Sequence, residues 1–142
     1  MLSFGRGQRR MKVAEYLESS EYIDRVYYAG LKSHPQHDVA VRQMAAGLYT
    51  GMIAFELKEG IKGLSAYEAG AKLLNNLHLA QIAVSLGDPD TLVEHPASMT
   101  HARVSPEDKK KAGISDGLIR LSVGLENPED IIRDFEQAFS KL

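Results

Sequence analysis

Cysteine is absent from these 142 residues, and tryptophan with it. Without a thiol the chain can form no disulfide, no thiolate metal site and no cysteine nucleophile, which suits a reducing cytosol. No apolar run approaches the roughly 18–20 residues of a membrane helix. The first residues also lack the long apolar core of a secretory signal, so a cytoplasmic protein without a membrane partner is expected. Charge is not one-sided: 17 Lys and Arg face 19 Asp and Glu, a net charge of −2. Nothing there suggests a nucleic-acid partner. The local basic groups, Arg6, Arg9, Arg10 and Lys12 and then Lys109 to Lys111, have no aromatic interleaving and read as solvated faces. A nucleotide-binding glycine loop is missing too, since Gly60-Ile61-Lys62-Gly63 is too short and has no Lys-Ser or Lys-Thr after it. No G-x-S-x-G nucleophile elbow occurs.

What is present is the composition of one ordinary domain, with 44% hydrophobic and 25% charged residues. Met11, Val13, Ala14 and Leu17 recur at helical spacing and predict a helix over 9–19, after a poorly patterned segment, 1–10, of which 1–8 reads as a frayed end. Tyr22 to Tyr28 reads as a strand. Ser33 and Gln36 have capping-box spacing, with Pro35 near the first turn, and predict a helix to about Ala45. Gly51 to Leu57 alternates as a strand, and Ser65 with Glu68 opens a helix carrying Ala69, Leu73, Leu74 and Leu77. Leu79 to Leu86 reads as a buried strand ended by Gly87-Asp88-Pro89, with a short strand over 91–94. Ser105-Pro106-Glu107-Asp108 starts a helix that Gly113 stops. Asn127-Pro128 starts the last one, whose Ile131, Ile132, Phe135, Ala138 and Phe139 form one core-facing stripe. The interleaving predicts an α+β fold, a mixed and mainly antiparallel sheet covered by helices.

Gly117 to Glu126, GLIRLSVGLE, carries the sharpest chemical signal. Ile119, Leu121 and Val123 alternate with Leu118, Arg120 and Ser122. A guanidinium cannot discharge, so Arg120 in a short apolar strand calls for an anion. Its planar fork suits a carboxylate, either a ligand's or that of an internal Asp or Glu. Ser85, in AVSLGD at the end of an apolar run, could share such a carboxylate or simply start the turn. His34 with His37, and His95 with His101, invite a metal reading. No acidic pair completes a ligand set by spacing, so no metal is expected. His78 reads as a hydrogen-bonded core or edge residue.

KVAEYLE (12–18), GLKSHPQH (30–37), GMIAFELK (51–58), AVSLGD (83–88), TLVEHPASMTH (91–101) and AGISDGLIRLSVGLENPEDII (112–132) occur in this order. Together they resemble the C-terminal domain of the pyridoxal-phosphate enzymes of cysteine and methionine metabolism. That family includes cystathionine γ-lyase, cystathionine γ-synthase, cystathionine β-lyase and methionine γ-lyase. The resemblance covers Met11 to the end. It implies that Arg120 grips the substrate's α-carboxylate with Ser85 beside it, and that Val84, Leu86 and Met99 lie near the substrate side chain. Cystathionine γ-lyases typically place an acid immediately before the serine. Val84 is apolar instead, which looks more like methionine γ-lyase and suits a thioether. The reaction implied is elimination at Cγ of a sulfur amino acid to a thiol, ammonia and a 2-oxo acid.

The cofactor lysine, the stacking tyrosine and the phosphate-binding residues lie upstream in the family and have no counterpart here. Pyridoxal phosphate is therefore expected in the complete enzyme and not on this chain alone. The expectation is a fragment or separately encoded domain, inactive alone, whose partner is the missing N-terminal cofactor-binding half, in a homo-oligomer. The competing expectation is a non-catalytic binding or assembly module, or a piece of a cystathionine γ-lyase or γ-synthase.

Overall fold

The computed structural model describes residues 5–45 and 47–142. It contains α1 (Arg6–Ser19), β1 (Ile23–Tyr27), α2 (His37–Gln43), β2 (Met52–Leu57), α3 (Ala66–Asn76), β3 (Gln81–Ile82), β4 (Leu92–Glu94), α4 (Pro106–Lys111), β5 (Leu118–Ser122) and α5 (Pro128–Ser140). The five strands form one sheet in the order β1-β2-β5-β4-β3. Three of its four pairings are antiparallel, and β3 joins β4 in parallel. This is the α+β class the interleaving predicts.

The core lies between the sheet and α1, α3 and α5. Strand alternation places Ile53 and Phe55 of β2 and Ile119 and Leu121 of β5 on the helix side, each fully buried. They meet Val13 and Leu17 of α1, Leu73 of α3 and the Ile131, Phe135 and Phe139 stripe of α5. Phe55 and Phe135 pack edge-on with ring centroids 6.0 Å apart. Each such side chain contributes about 1.5–3 kcal/mol by leaving water.

Asp134 of α5 ties this layer to the sheet edge. Its carboxylate accepts the backbone N–H groups of His78, Leu79 and Ala80 at 2.7, 2.8 and 2.9 Å. Burial pushes the carboxyl up, but these donors outweigh it and hold the group below its usual value.

The helix starts follow the sequence signals. Ser65 and Glu68 form a reciprocal capping box at α3, Ser105 accepts the Asp108 N–H at α4, and Asn127 accepts the Glu129 N–H at α5. Gly113, with φ +72°, follows α4 as expected of a left-handed stop.

Three expectations need correction. The first helix opens at Arg6, inside the segment read as unpatterned, because Gln8 and Arg9 already bond the Gly5 carbonyl. Gly7 is buried there, and any side chain on it would strike the Gly47 carbonyl. The part of the supposed frayed end at Met1 to Phe4 lies outside the described residues. Ser33 does not cap α2. Its hydroxyl bonds Glu18 of α1 instead, and turns over 31–36 delay the helix to His37. Finally, Leu79–Leu86 is not a buried strand. Only Gln81 and Ile82 pair, at the sheet edge, and Ile82, Val84 and Leu86 are 49%, 57% and 60% exposed.

Candidate functional site

Arg120 sits in the middle of β5 with Ala54 beside it on β2 and Glu94 beside it on β4. The register therefore lines up a methyl group, a guanidinium and a carboxylate across three strands. Arg120 Nη2 lies 2.7 Å from Glu94 Oε2, so the internal ion pair left open by the sequence is formed. Glu94 is almost wholly buried, whereas 31% of the Arg120 side chain reaches solvent. Ala54 is too small to cover it.

The same Nη2 also donates to the Val84 carbonyl at 2.9 Å and, more weakly, to the Ser85 carbonyl at 3.4 Å. Arg120 thus meets the two residues flagged in AVSLGD through their backbone, not through the serine hydroxyl. Its Nε and Nη1 bond nothing among the described residues, which leaves three of five N–H donors for an outside acceptor.

The structure brings Arg120, Val84 and Ser85 together and places Leu86 at the next position. Leu86 lines a cleft of about 460 Å³ shared with Met52, Asp88, Ser122 and Leu125. Met99 stands further back, half-buried against the core, with its sulfur accepting the His95 N–H at 3.4 Å. A larger concavity, about 680 Å³, lies between β1 and Ser33–Gln36 and contains none of these residues.

Arg10 departs from the solvated face assigned to it. It lines the 460 Å³ cleft, and its Nε is buried without a partner among the described residues. The side chain of Arg6 lies outside the described residues.

The histidines have ordinary partners. His34 Nδ1 accepts the Gln36 N–H, and His37 Nδ1 meets the Ala29 carbonyl. His78 is exposed beside Lys141. His95 is fully buried, with Nε2 2.7 Å from the Asp116 carbonyl and Nδ1 2.8 Å from the Ser98 hydroxyl. Burial pushes its pKa down, so the ring is neutral and fixes the HPASMTH turn. Among the described residues no three ligating side chains converge on a metal position.

Two residues escaped sequence reasoning. Glu94 anchors Arg120, and the Thr100 hydroxyl bonds the other oxygen of Glu94. The signal was available: Glu94 is a charge closing an apolar strand, by the same logic that singles out Arg120.

With the site in view, the comparisons decide the family. The family model for Cys/Met metabolism PLP-dependent enzymes matches residues 6–140. The chain belongs to that family. It is 54% identical over 131 residues to an L-methionine γ-lyase of Fusobacterium nucleatum subsp. polymorphum, covering 92% of this chain and 31% of that one. A cystathionine β-lyase of Lactococcus lactis subsp. cremoris is 45% identical over 130 residues, covering 92% and 32%. The solved structure of an O-acetylhomoserine (thiol)-lyase from Campylobacter jejuni, which carries a pyridoxyl-lysine, superposes with a TM-score of 0.83. It is 36% identical, covering 95% of this chain and 30% of that one. The chain thus spans about a third of the length of the curated relatives it matches.

The family's cofactor finds no lysine pocket in this part of the fold. Every one of the nine lysines is at least partly exposed, and none bonds Arg120, Val84, Ser85 or Glu94.

Proposed function

We propose that this chain is the C-terminal, substrate-binding part of a pyridoxal-phosphate-dependent carbon–sulfur lyase of the methionine γ-lyase type. The observation that carries the reading is Arg120: a guanidinium held at mid-strand, partly open to solvent, with three donors unused beside Val84 and Ser85. Such a group receives the α-carboxylate of an amino acid. Val84 and Leu86, both exposed, offer an apolar wall to a thioether side chain. The 54% identity to a methionine γ-lyase points the same way.

In the complete enzyme Arg120, with the Ser85 backbone nearby, orients the substrate so that its Cα proton faces the base carried by the rest of the protein. Pyridoxal phosphate, when bound there, supplies the electron sink that elimination at Cγ requires. The products are a thiol, ammonia and a 2-oxo acid. The chain alone does not turn over substrate on this reading, because it offers no seat for the cofactor. A cytoplasmic homo-oligomer belongs to the same proposal. The exposed Val39, Val41, Met44 and Leu48 supply apolar surface for a partner.

The test is a chimera in which this chain replaces the matching segment of the Fusobacterium methionine γ-lyase. With methionine as substrate, Arg120→Ala should lower kcat/KM by about a hundredfold or more, the cost of losing substrate positioning. Near-normal kcat/KM in a variant that keeps its cofactor absorbance would sink the assignment.

A further inference from the structure

The carboxylate reading of Arg120 leaves open what fixes the guanidinium before any substrate arrives. A free arginine side chain samples many rotamers, and ordering it costs entropy that weakens binding. Here the ordering is built in. Glu94 is 2% exposed, and its Oε2 holds Arg120 Nη2 at 2.7 Å in the cross-strand pair Glu94↔Arg120. Its other oxygen, Oε1, accepts the Thr100 hydroxyl. Thr100 is itself exposed, but it belongs to the turn that buried His95 pins to the Asp116 carbonyl at 2.7 Å. The contacts run without a break from the turn, through Thr100 and Glu94, to the guanidinium.

We propose that Glu94 and Thr100 are positioning residues: together they hold Arg120 so that Nε and Nη1 face outward, and neither touches the substrate. The division of donors supports this. Nη2 donates to the Val84 carbonyl and, more weakly, to that of Ser85, and it is the nitrogen that stands against Glu94 as an ion pair. The donors left over sit on the nitrogens that no described residue engages. The pair also makes the receptor neutral overall, so it selects by geometry more than by charge. A carboxylate set at the right angle is favoured over a small inorganic anion. The proposal deepens the carboxylate reading and rests on it for its purpose, though the ordering of Arg120 can be measured independently.

The measurement is 15N relaxation of the Arg120 Nε–Hε group in the full 142-residue chain. The unsubstituted chain and Thr100→Ser should give an order parameter clearly above that of an exposed arginine, and Thr100→Val and Glu94→Gln should lower it toward the flexible range, below about 0.6. Exposed Arg133 serves as the mobile reference. An Arg120 as mobile as Arg133 in the unsubstituted chain, or equally rigid in both loosening variants, overturns the proposal. In the chimera, the inhibition constant of L-norleucine against methionine should rise about tenfold in Thr100→Val and recover in Thr100→Ser. If Arg120→Ala leaves that constant unchanged, the carboxylate reading fails, whereas the positioning of Arg120 still stands or falls on the relaxation data.

Discussion

At the scale of single residues, two buried carboxylates do different work. Glu94 meets one arginine, whereas Asp134 accepts three backbone N–H groups and holds the chain where it enters β3. Hydrogen bonds to a charged group are worth about 1.5–3 kcal/mol, so Asp134→Asn should cost about 2 kcal/mol or more at neutral pH. The native pKa of Asp134 lies below its usual 3.8. Its contribution is therefore complete above that pH and disappears as the pH falls through the native value. Urea unfolding at a series of pH values should show the gap between the two proteins closing below pH 3.8. A gap that stays constant down to pH 2 would mean that the charge on Asp134 is not what stabilises the turn. Arg120 was legible in the sequence because a permanent charge in an apolar strand has few explanations. Which anion meets it was not, since that depends on the register between β5 and β4, strands whose pairing no local pattern records.

At the scale of elements, legibility followed the strength of the local signal. α3, α4 and α5 begin where their caps stand, because a side-chain oxygen at the N-cap satisfies an otherwise orphaned N–H wherever the helix packs. α2 failed the same test: Ser33 is drawn to Glu18 of α1, a tertiary partner that outcompetes its own capping role. β3 misled for another reason. Apolar character reads as burial, yet an edge strand with two paired residues leaves Ile82, Val84 and Leu86 outside. Packing between elements can also be tested. Gly70 of α3 lies against His95, and a Cβ there would sit 2.6 Å from His95 Nε2. Alanine favours helices over glycine by about 1 kcal/mol, but overpacking a locked ring costs about 1–3 kcal/mol. Gly70→Ala should thus lower the unfolding free energy, and a stabilised variant would show that the HPASMTH turn yields easily.

At the scale of the whole molecule, one core joins the sheet to three helices, and Arg120, Val84 and Ser85 gather where β5, β4 and the segment after β3 meet, with Met99 set back against the core. That segment is apolar and outward-facing, and the chain is about a third as long as the relatives that share it. On the proposed function, this open edge faces a substrate that the remainder of a longer enzyme activates. In that proposal Arg120 receives the α-carboxylate. The most direct measurement is a crystal structure of the chimera with L-norleucine, an unreactive analogue of methionine. A carboxylate oxygen is expected within hydrogen-bonding distance, about 3 Å, of Arg120 Nε or Nη1, with the Glu94 pair intact. A carboxylate bound elsewhere, with Arg120 still engaged only by Glu94 and the Val84 and Ser85 carbonyls, would contradict it.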